Sequence, residues 1–310
     1  MRALVFNNSL QYITDYPAPS MNNTDALIRV THAGICNTDL ELIKGYMGFQ
    51  GVLGHEFVGI VEKCSNDDLI GKRVVGEINI PCRKCIYCIN QLTNHCPNRS
   101  VIGILKRDGA FADYISLPLD ILHTLPDSIS DEEAVFVEPL AAAFEILEQV
   151  PVSPADKVCV LGDGKLGLLI AQVLSLTGCN LIVVGNHSEK LSILDELGIK
   201  AKMHSSFTDK AFDIVVDCTG SPSGMKTAIE IVKPRGKVIL KTTVVKKVFF
   251  DTNSIVVKEI ELIGSRCGPF GPALKAIESR NIDLYSLISR EFSIEEGIKA
   301  IQYADRKSVV

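Results

Sequence analysis

The sequence contains no run of about 18 or more apolar residues, the length a helix needs to cross a bilayer. It has no basic stripe: the formal net charge is −5, which argues against a nucleic-acid partner. It shows no signal-peptide pattern, because Met1-Arg-Ala-Leu-Val-Phe turns polar at once at Asn7-Asn-Ser and reads as a short strand. It has neither internal repeats nor a low-complexity segment, which sets aside solenoids and disordered linkers. What remains is an ordinary globular composition, 46% apolar and 22% charged over 310 residues. That length accommodates about two domains with real cores.

Cysteine is not scarce: there are ten. Such a number suits a disulfide scaffold only in a small secreted protein. Four of the thiols fall within one loop, Cys82, Cys85, Cys88 and Cys96, spaced C-x2-C-x2-C-x7-C. A C-x2-C turn brings two sulfurs onto one ion and two more close a tetrahedron, so the expected ion is a structural zinc with no open position. An iron–sulfur cluster is the rival, since ferredoxin-type runs read C-x2-C-x2-C-x3-C-P and this run ends in Cys96-Pro97. The last gap here is seven residues instead of three, which favours zinc and predicts a colourless protein. Cys64, Cys159, Cys179, Cys218 and Cys267 mostly sit in apolar runs and read as small buried hydrophobes. A reducing cytoplasm is the expected compartment.

The first 135 or so residues read as short strands. Ala26–Thr31, Phe57–Glu62 and Arg73–Ile78 are β-branched runs bounded by turn residues, which predicts a compact β-rich domain with the cysteine loop emerging from it. Ser130 and Glu133 form a capping-box pattern and open a helix expected over Asp131–Leu147. After Pro154 the pattern changes to alternating strand and helix: strands at Lys157–Leu161, Leu181–Val184, Asp213–Asp217, Lys237–Leu240 and Glu259–Ile263, with helices to Leu176, over Ser188–Leu197 and near Gly224–Val232. Alternating βα units at this spacing predict an α/β fold with a doubly wound parallel sheet. Two short amphipathic helices, Ala273–Ser279 and Ile294–Ala304, close the chain.

Gly162, Gly164 and Gly167 spell G-x-G-x-x-G, with Lys165 and Leu166 between the last two. Following a strand and opening a helix, this pattern lets a pyrophosphate approach the backbone and meet the helix N-terminus. A dinucleotide is the expected cofactor. At the end of the next strand an acid would hold the ribose 2′-hydroxyl of NAD. Asn186 stands in that place, followed by His187 and Lys190. No carboxylate repels a 2′-phosphate there, so NADP is the preferred cofactor and NAD the alternative.

A second metal set is dispersed: Cys36, then His55 and Glu56, then Glu138. Singly, each has an ordinary explanation in packing or solvation. Together they offer one sulfur, one imidazole and one or two carboxylates, and three protein ligands plus an open position make a catalytic zinc site.

The run of motifs Gly34-Ile-Cys36-Asn-Thr38-Asp39, Gly54-His55-Glu56-x-x-Gly59, the four-cysteine loop, Glu138-Pro-Leu-Ala and Gly162-Asp-Gly-Lys-Leu-Gly167 resembles the zinc-dependent medium-chain dehydrogenase/reductase family. Within that alcohol dehydrogenase-like family it is most similar to the polyol, glucose and threonine dehydrogenase branches. The resemblance covers nearly the whole chain. It implies a GroES-like catalytic domain over residues 1–139, to which residues 270–310 return, and a Rossmann NAD(P)-binding domain over 140–269, with the active site in the cleft. It also implies two zincs per chain and homo-oligomers, dimers or tetramers, joined through the sheet edge near Glu259–Ile263. In this resemblance Cys36, His55 and either Glu56 or Glu138 ligate the catalytic zinc, and Asp39 orients the ligand imidazole. Thr38 hands the substrate proton away. Glu41 stands where relatives place a relay histidine, so proton exit runs through Glu41 or directly to water. Ser65 departs from the zinc signature, and the sequence ends at Val310 where the family has a further strand.

The expected activity is hydride transfer between a small-molecule alcohol and NAD(P), giving a ketone or aldehyde. Acceptor groups near the metal favour a polyol, sugar or amino-alcohol over an alkyl alcohol, since a chain of methylenes leaves such groups unpaired. The alternative from another class is a non-catalytic NADPH sensor or assembly subunit with purely structural zincs. A zinc-free quinone reductase is disfavoured because it has no use for Cys36, His55 and Glu138.

Overall fold

The computed structural model describes residues 1–241 and 249–309. The chain forms two compact units, one of Met1–Glu138 with Ile288–Val310 and one of Pro139–Leu287. No helix among the described residues is long and apolar enough to cross a membrane.

In the first unit the chain runs through β1 (Ala3–Asn7), β2 (Ser9–Ile13), β3 (Asp25–Gly34), α1 (Asn37–Ile43), β4 (Gly51–Val52) and β5 (Glu56–Lys63). It continues through β6 (Arg73–Gly76), β7 (Asn79–Ile80), α2 (Ile86–Ile89), β8 (Ser100–Val101), β9 (Tyr114–Pro118), β10 (Leu122–Thr124) and α3 (Asp131–Ala134). The three strands expected from the sequence are β3, β5 and β6, and they lie together in a five-stranded antiparallel sheet of order β10-β6-β5-β3-β9. Alternation in the strands turns Ala26, Ile28, Phe57, Val61, Ile115 and Leu117 into one core, all nearly inaccessible to solvent. Register matters for the site: Gly34 pairs with Glu56 across β3 and β5, so Cys36, just past β3, lies beside the start of β5.

The single helix expected over Asp131–Leu147 is two: α3 and then α4 (Val137–Gln149). Pro139 explains the break, since it has no N–H to give to a carbonyl one turn back. It is tolerated only in a first helical turn, where α4 places it. The capping box is as read: Ser130 Oγ accepts the Glu133 N–H at 3.2 Å, and Glu133 Oε2 accepts the Ser130 N–H at 2.9 Å. Asp131 fastens α3 to the sheet by accepting from Thr31 Oγ1 at 2.7 Å and Arg73 Nε at 2.8 Å. Removing the cap oxygen with Ser130→Ala is expected to cost about 1 kcal/mol, read as a lower urea midpoint at unchanged slope.

The second unit carries β11 (Lys157–Leu161), α5 (Lys165–Ser175), β12 (Asn180–Gly185), α6 (Ser188–Glu196), β13 (Ala201–Met203), β14 (Phe212–Asp217) and α7 (Pro222–Ile231). These are followed by β15 (Val232–Leu240), α8 (Thr252–Lys258), β16 (Glu261–Gly264) and α9 (Phe270–Glu278). The six strands are parallel in the order β13-β12-β11-β14-β15-β16. That is the Rossmann order, with the chain reversing direction of travel across the sheet between β11 and β14, and ligands bind beyond the strand ends at such a point. The last strand begins two residues later than expected because Glu259 takes a left-handed φ of 53° to end α8.

The first tail helix, α9, is grouped with this second unit, so the chain rejoins the first unit at Ile288 and not at residue 270 as the sequence suggested. Gln172 on α5 accounts for the later exit: its amide donates to the Asp283 carbonyl at 2.9 Å and accepts from the Asp283 N–H at 2.7 Å. The second tail helix, α10 (Gly297–Val309), follows a 3-10 turn at Ile294–Glu296.

Candidate active site

The first unit brings Cys36, His55 and Glu56 together, with one ligand atom from each lying within 4.8 Å of the others. His55 and Glu56 are buried and Cys36 is half-buried. Glu138, in the first turn of α4, is not a member of this group. Asp39 assembles the site. It is fully buried, its Oδ2 accepts the Cys36 N–H at 2.9 Å, and its Oδ1 accepts the Gly54 N–H at 3.2 Å. The same Oδ1 lies 3.4 Å from His55 Nδ1. One carboxylate thus fixes the backbone carrying two of the ligands and faces the ring of one of them, as a ligating histidine requires.

The donor set fits a divalent zinc: sulfur, imidazole and carboxylate, with fewer than four protein donors. Its electrostatics point the same way. Burial opposes a charge on His55, but the Asp39 carboxylate and the Cys36 sulfur outweigh it and hold the imidazole well above the ordinary histidine range. Thr38 Oγ1 lies 3.6 Å from Cys36 Sγ, beside the donor set. Glu41 is one turn further along α1, with its carboxylate 3.5 Å from Lys44 Nζ, and Lys44 in turn pairs with Asp305 on α10 at 3.1 Å.

Cys82, Cys85, Cys88 and Cys96 form a second group, with Sγ–Sγ separations of 3.4 Å for Cys85–Cys88, 3.8 Å for Cys85–Cys96 and 4.0 Å for Cys82–Cys88. Backbone N–H groups, that of Lys84 foremost, lower the Cys82 thiol to about 6, while burial and the neighbouring sulfurs push Cys88 up to about 12. Four thiols and no other donor fit a closed structural zinc. None of the ten cysteines is in a disulfide. Of the five outside both groups, Cys159 and Cys218 are buried as expected. Cys64, Cys179 and Cys267 are only half-buried.

In the second unit Gly162 follows β11 with a φ of +117°, and a Cβ there would lie 2.8 Å from the Cys218 carbonyl oxygen. A Cβ on Gly167 would lie 2.1 Å from the Gly162 carbonyl oxygen. Gly164, the N-cap of α5, faces open space, with no atom within 4 Å of a built Cβ. The loop is closed behind and open in front, with Lys165, Leu166 and Gly167 in the first turn of α5. Such a cradle fits a pyrophosphate. Asn186 and His187 follow the end of β12, and Lys190 is in the first turn of α6.

One residue of this site was not singled out from the sequence. Asp163, between the first two glycines, is 6% exposed and reaches across to the end of β12. Its Oδ2 accepts the N–H groups of Asn186 at 2.6 Å and His187 at 2.7 Å, and His187 Nδ1 lies 3.0 Å from both carboxylate oxygens. Burial opposes the charge, but the His187 ring and the two N–H groups hold the carboxyl below its usual range. An acid at a variable position of G-x-G-x-x-G, with a histidine at the next strand end, was the available signal.

Comparison with known proteins agrees with this architecture. Residues 22–127 match the alcohol dehydrogenase GroES-like domain and residues 166–279 match the zinc-binding dehydrogenase domain. The chain is 30% identical to D-arabitol-phosphate dehydrogenase of Enterococcus avium over 92% of its own length and 88% of that protein. It is 28% identical to sorbitol dehydrogenase of Halalkalibacterium halodurans over 93% of its length and 90% of that protein. A solved zinc-binding dehydrogenase from Sinorhizobium meliloti 1021 bound to NADP superposes with a TM-score of 0.88 at 27% identity, covering 97% of this chain and 94% of that one. The chain belongs to the zinc-dependent medium-chain dehydrogenase/reductase family. It is an oxidoreductase acting between an alcohol and NAD(P), and the non-catalytic alternative finds no support.

Proposed function

We propose that the chain oxidises a secondary hydroxyl of a polyol or sugar alcohol, free or phosphorylated, with NADP as the preferred acceptor. The observation that carries this reading is the convergence of Cys36, His55 and Glu56 ligand atoms within 4.8 Å. The polyol and polyol-phosphate substrates in the relatives' names support the substrate class.

Zinc held there supplies Lewis acidity toward an alcohol oxygen, and NADP supplies the hydride acceptor. Cys36, His55 and Glu56 are its ligands, Glu56 in preference to Glu138 because only Glu56 stands within the group. Asp39 keeps the His55 ring and the Cys36 backbone in register. Thr38, whose Oγ1 lies 3.6 Å from the Cys36 sulfur, takes the hydroxyl proton, and with Glu41 engaged by Lys44 that proton leaves to water. Gly162, Gly164 and Gly167 seat the pyrophosphate with Lys165 and Leu166. Asn186, His187 and Lys190 receive the adenosine ribose end. Cys82, Cys85, Cys88 and Cys96 hold the second zinc.

The protein is further proposed to work in the cytoplasm, where its ten cysteines, none of them in a disulfide, stay reduced. It is proposed to be a dimer or tetramer. β16 is an edge strand, and Leu262 upon it, with Val256 and Val257 on α8, leave apolar surface exposed.

The test is a panel of polyols, polyol phosphates, sugars and simple alcohols assayed with both cofactors. The expected result is kcat/KM about tenfold or more higher for polyols than for alkyl alcohols, a difference of about 1.4 kcal/mol in transition-state binding, and higher with NADP than with NAD. A clear preference for NAD, or for ethanol-like substrates, overturns the corresponding half.

A further inference from the structure

We propose that Asp163 and His187 form a carboxylate–imidazole pair that selects the cofactor's 2′-phosphate, His187 as the contacting group and Asp163 as the residue that positions it. The inference rests on the NADP reading above and adds to it the device by which selection is made. It starts from the end of β12. Gly185 is the last residue of that strand, and a Cβ built on it would lie 2.3 Å from Asp163 Oδ2 and 2.5 Å from Asp163 Cβ. No side chain can grow from Gly185 unless Asp163 moves. The space is taken by a carboxylate that comes from the other side.

That carboxylate is not offered to a ribose. Asp163 Oδ2 accepts two backbone N–H groups at 2.6 and 2.7 Å, both oxygens face His187 Nδ1 at 3.0 Å, and the residue is 6% exposed. A diol would have to displace protein donors to reach it, so the Asp163 carboxylate is not a free acceptor for the ribose of NAD. The same bonds fix the ring. With Nδ1 on Asp163, the imidazole presents Nε2 on its opposite side. Nε2 makes no hydrogen bond among the described residues, and the His187 side chain remains 21% exposed. The ring meets Asp163 through one nitrogen and offers the other to a phosphate oxygen, a charge-assisted contact. Lys190 follows in the first turn of α6.

The experiment is calorimetric titration of the full-length protein with 2′,5′-ADP and with ADP, fragments that differ only in where the second phosphate sits and that need no turnover. The wild-type protein is expected to prefer 2′,5′-ADP. In His187→Ala the ratio of the two affinities is expected to fall by about 10- to 100-fold, the range for losing a charge-assisted hydrogen bond. His187→Arg is expected to keep the preference. Asp163→Asn retains an acceptor oxygen for the backbone N–H groups but no charge opposite the ring, and its ratio is expected to fall with melting temperature little changed. An unchanged ratio in His187→Ala overturns the assignment. Equal weakening of both nucleotides in Asp163→Asn overturns the positioning role and leaves Asp163 a clamp on the turn. If the wild-type protein itself fails to prefer 2′,5′-ADP, it is the NADP reading that falls, which separates the two.

Discussion

Replacing Cys36 by serine is expected to lower kcat/KM by at least about 10³-fold while leaving nucleotide binding largely intact. The size follows from what the site does: Lewis-acid stabilisation of a developing alkoxide contributes several kcal/mol, and each 1.36 kcal/mol is a factor of ten. Serine keeps the volume and the N–H that Asp39 Oδ2 accepts at 2.9 Å, so the loop and α1 stay in place. What is lost is the one sulfur of a set that otherwise holds an imidazole and a carboxylate. Metal analysis separates this from misfolding, with zinc content expected to drop from two per chain to one. The nucleotide cradle lies in the second unit, between β11 and α5, and is built from residues that do not include Cys36. Near-normal turnover with one zinc lost excludes the proposed role.

The outline of the molecule was legible because its signals are periodic. Strands such as Lys157–Leu161 and Phe212–Asp217 are apolar runs of the right length between turn residues, and the parallel order follows from their alternation with helices. Boundaries were less legible where one residue's backbone decides. Pro139 was visible, yet its consequence depends on whether a helix runs through it or restarts before it, and here it restarts. Glu259 lies in an apolar stretch that reads as strand, but its left-handed conformation ends α8, a helix whose exposed valines give no helical amphipathicity to detect.

The site divides in the same way. Cys36, His55 and Glu56 could be named from residue type and motif, and the pairing of Gly34 with Glu56 brings them together. Asp163 could not be named by the same route. Its importance comes from a contact across 24 residues to His187, and a glycine fingerprint leaves its position free. Nor did the pattern show that Glu41 turns toward Lys44, because an i,i+3 pairing on a short helix competes with any pocket for the same carboxylate.

Cys85→Ser is expected to unfold the cysteine lobe, with activity lost as a consequence. From Cys82 to Cys96 the chain has only the four-residue α2 and a 3-10 turn at Thr93–His95, and Cys96 is the one fully buried residue. The apolar side chains available for a core point outward: Ile86 is 64% exposed, Ile89 67% and Leu92 51%. The interior of this lobe is therefore four sulfurs, and without a shared ion they are a cluster of like charges or poorly paired thiols. Structural zinc contributes an apparent 10–16 kcal/mol or so to small metal-dependent folds at neutral pH. Even about 3 kcal/mol lost here lowers the melting temperature by roughly 6–12 °C for a unit of this size. Limited trypsin digestion locates the damage: Arg83 and Lys84, within the loop, are expected to become the first sites cut, well before the second unit is touched. Loss of one zinc should accompany the cleavage, and excess zinc should not restore resistance because the fourth sulfur is gone. A variant that keeps its melting temperature, its two zincs and its resistance to trypsin, and loses turnover alone, would move the lobe from scaffold to active site.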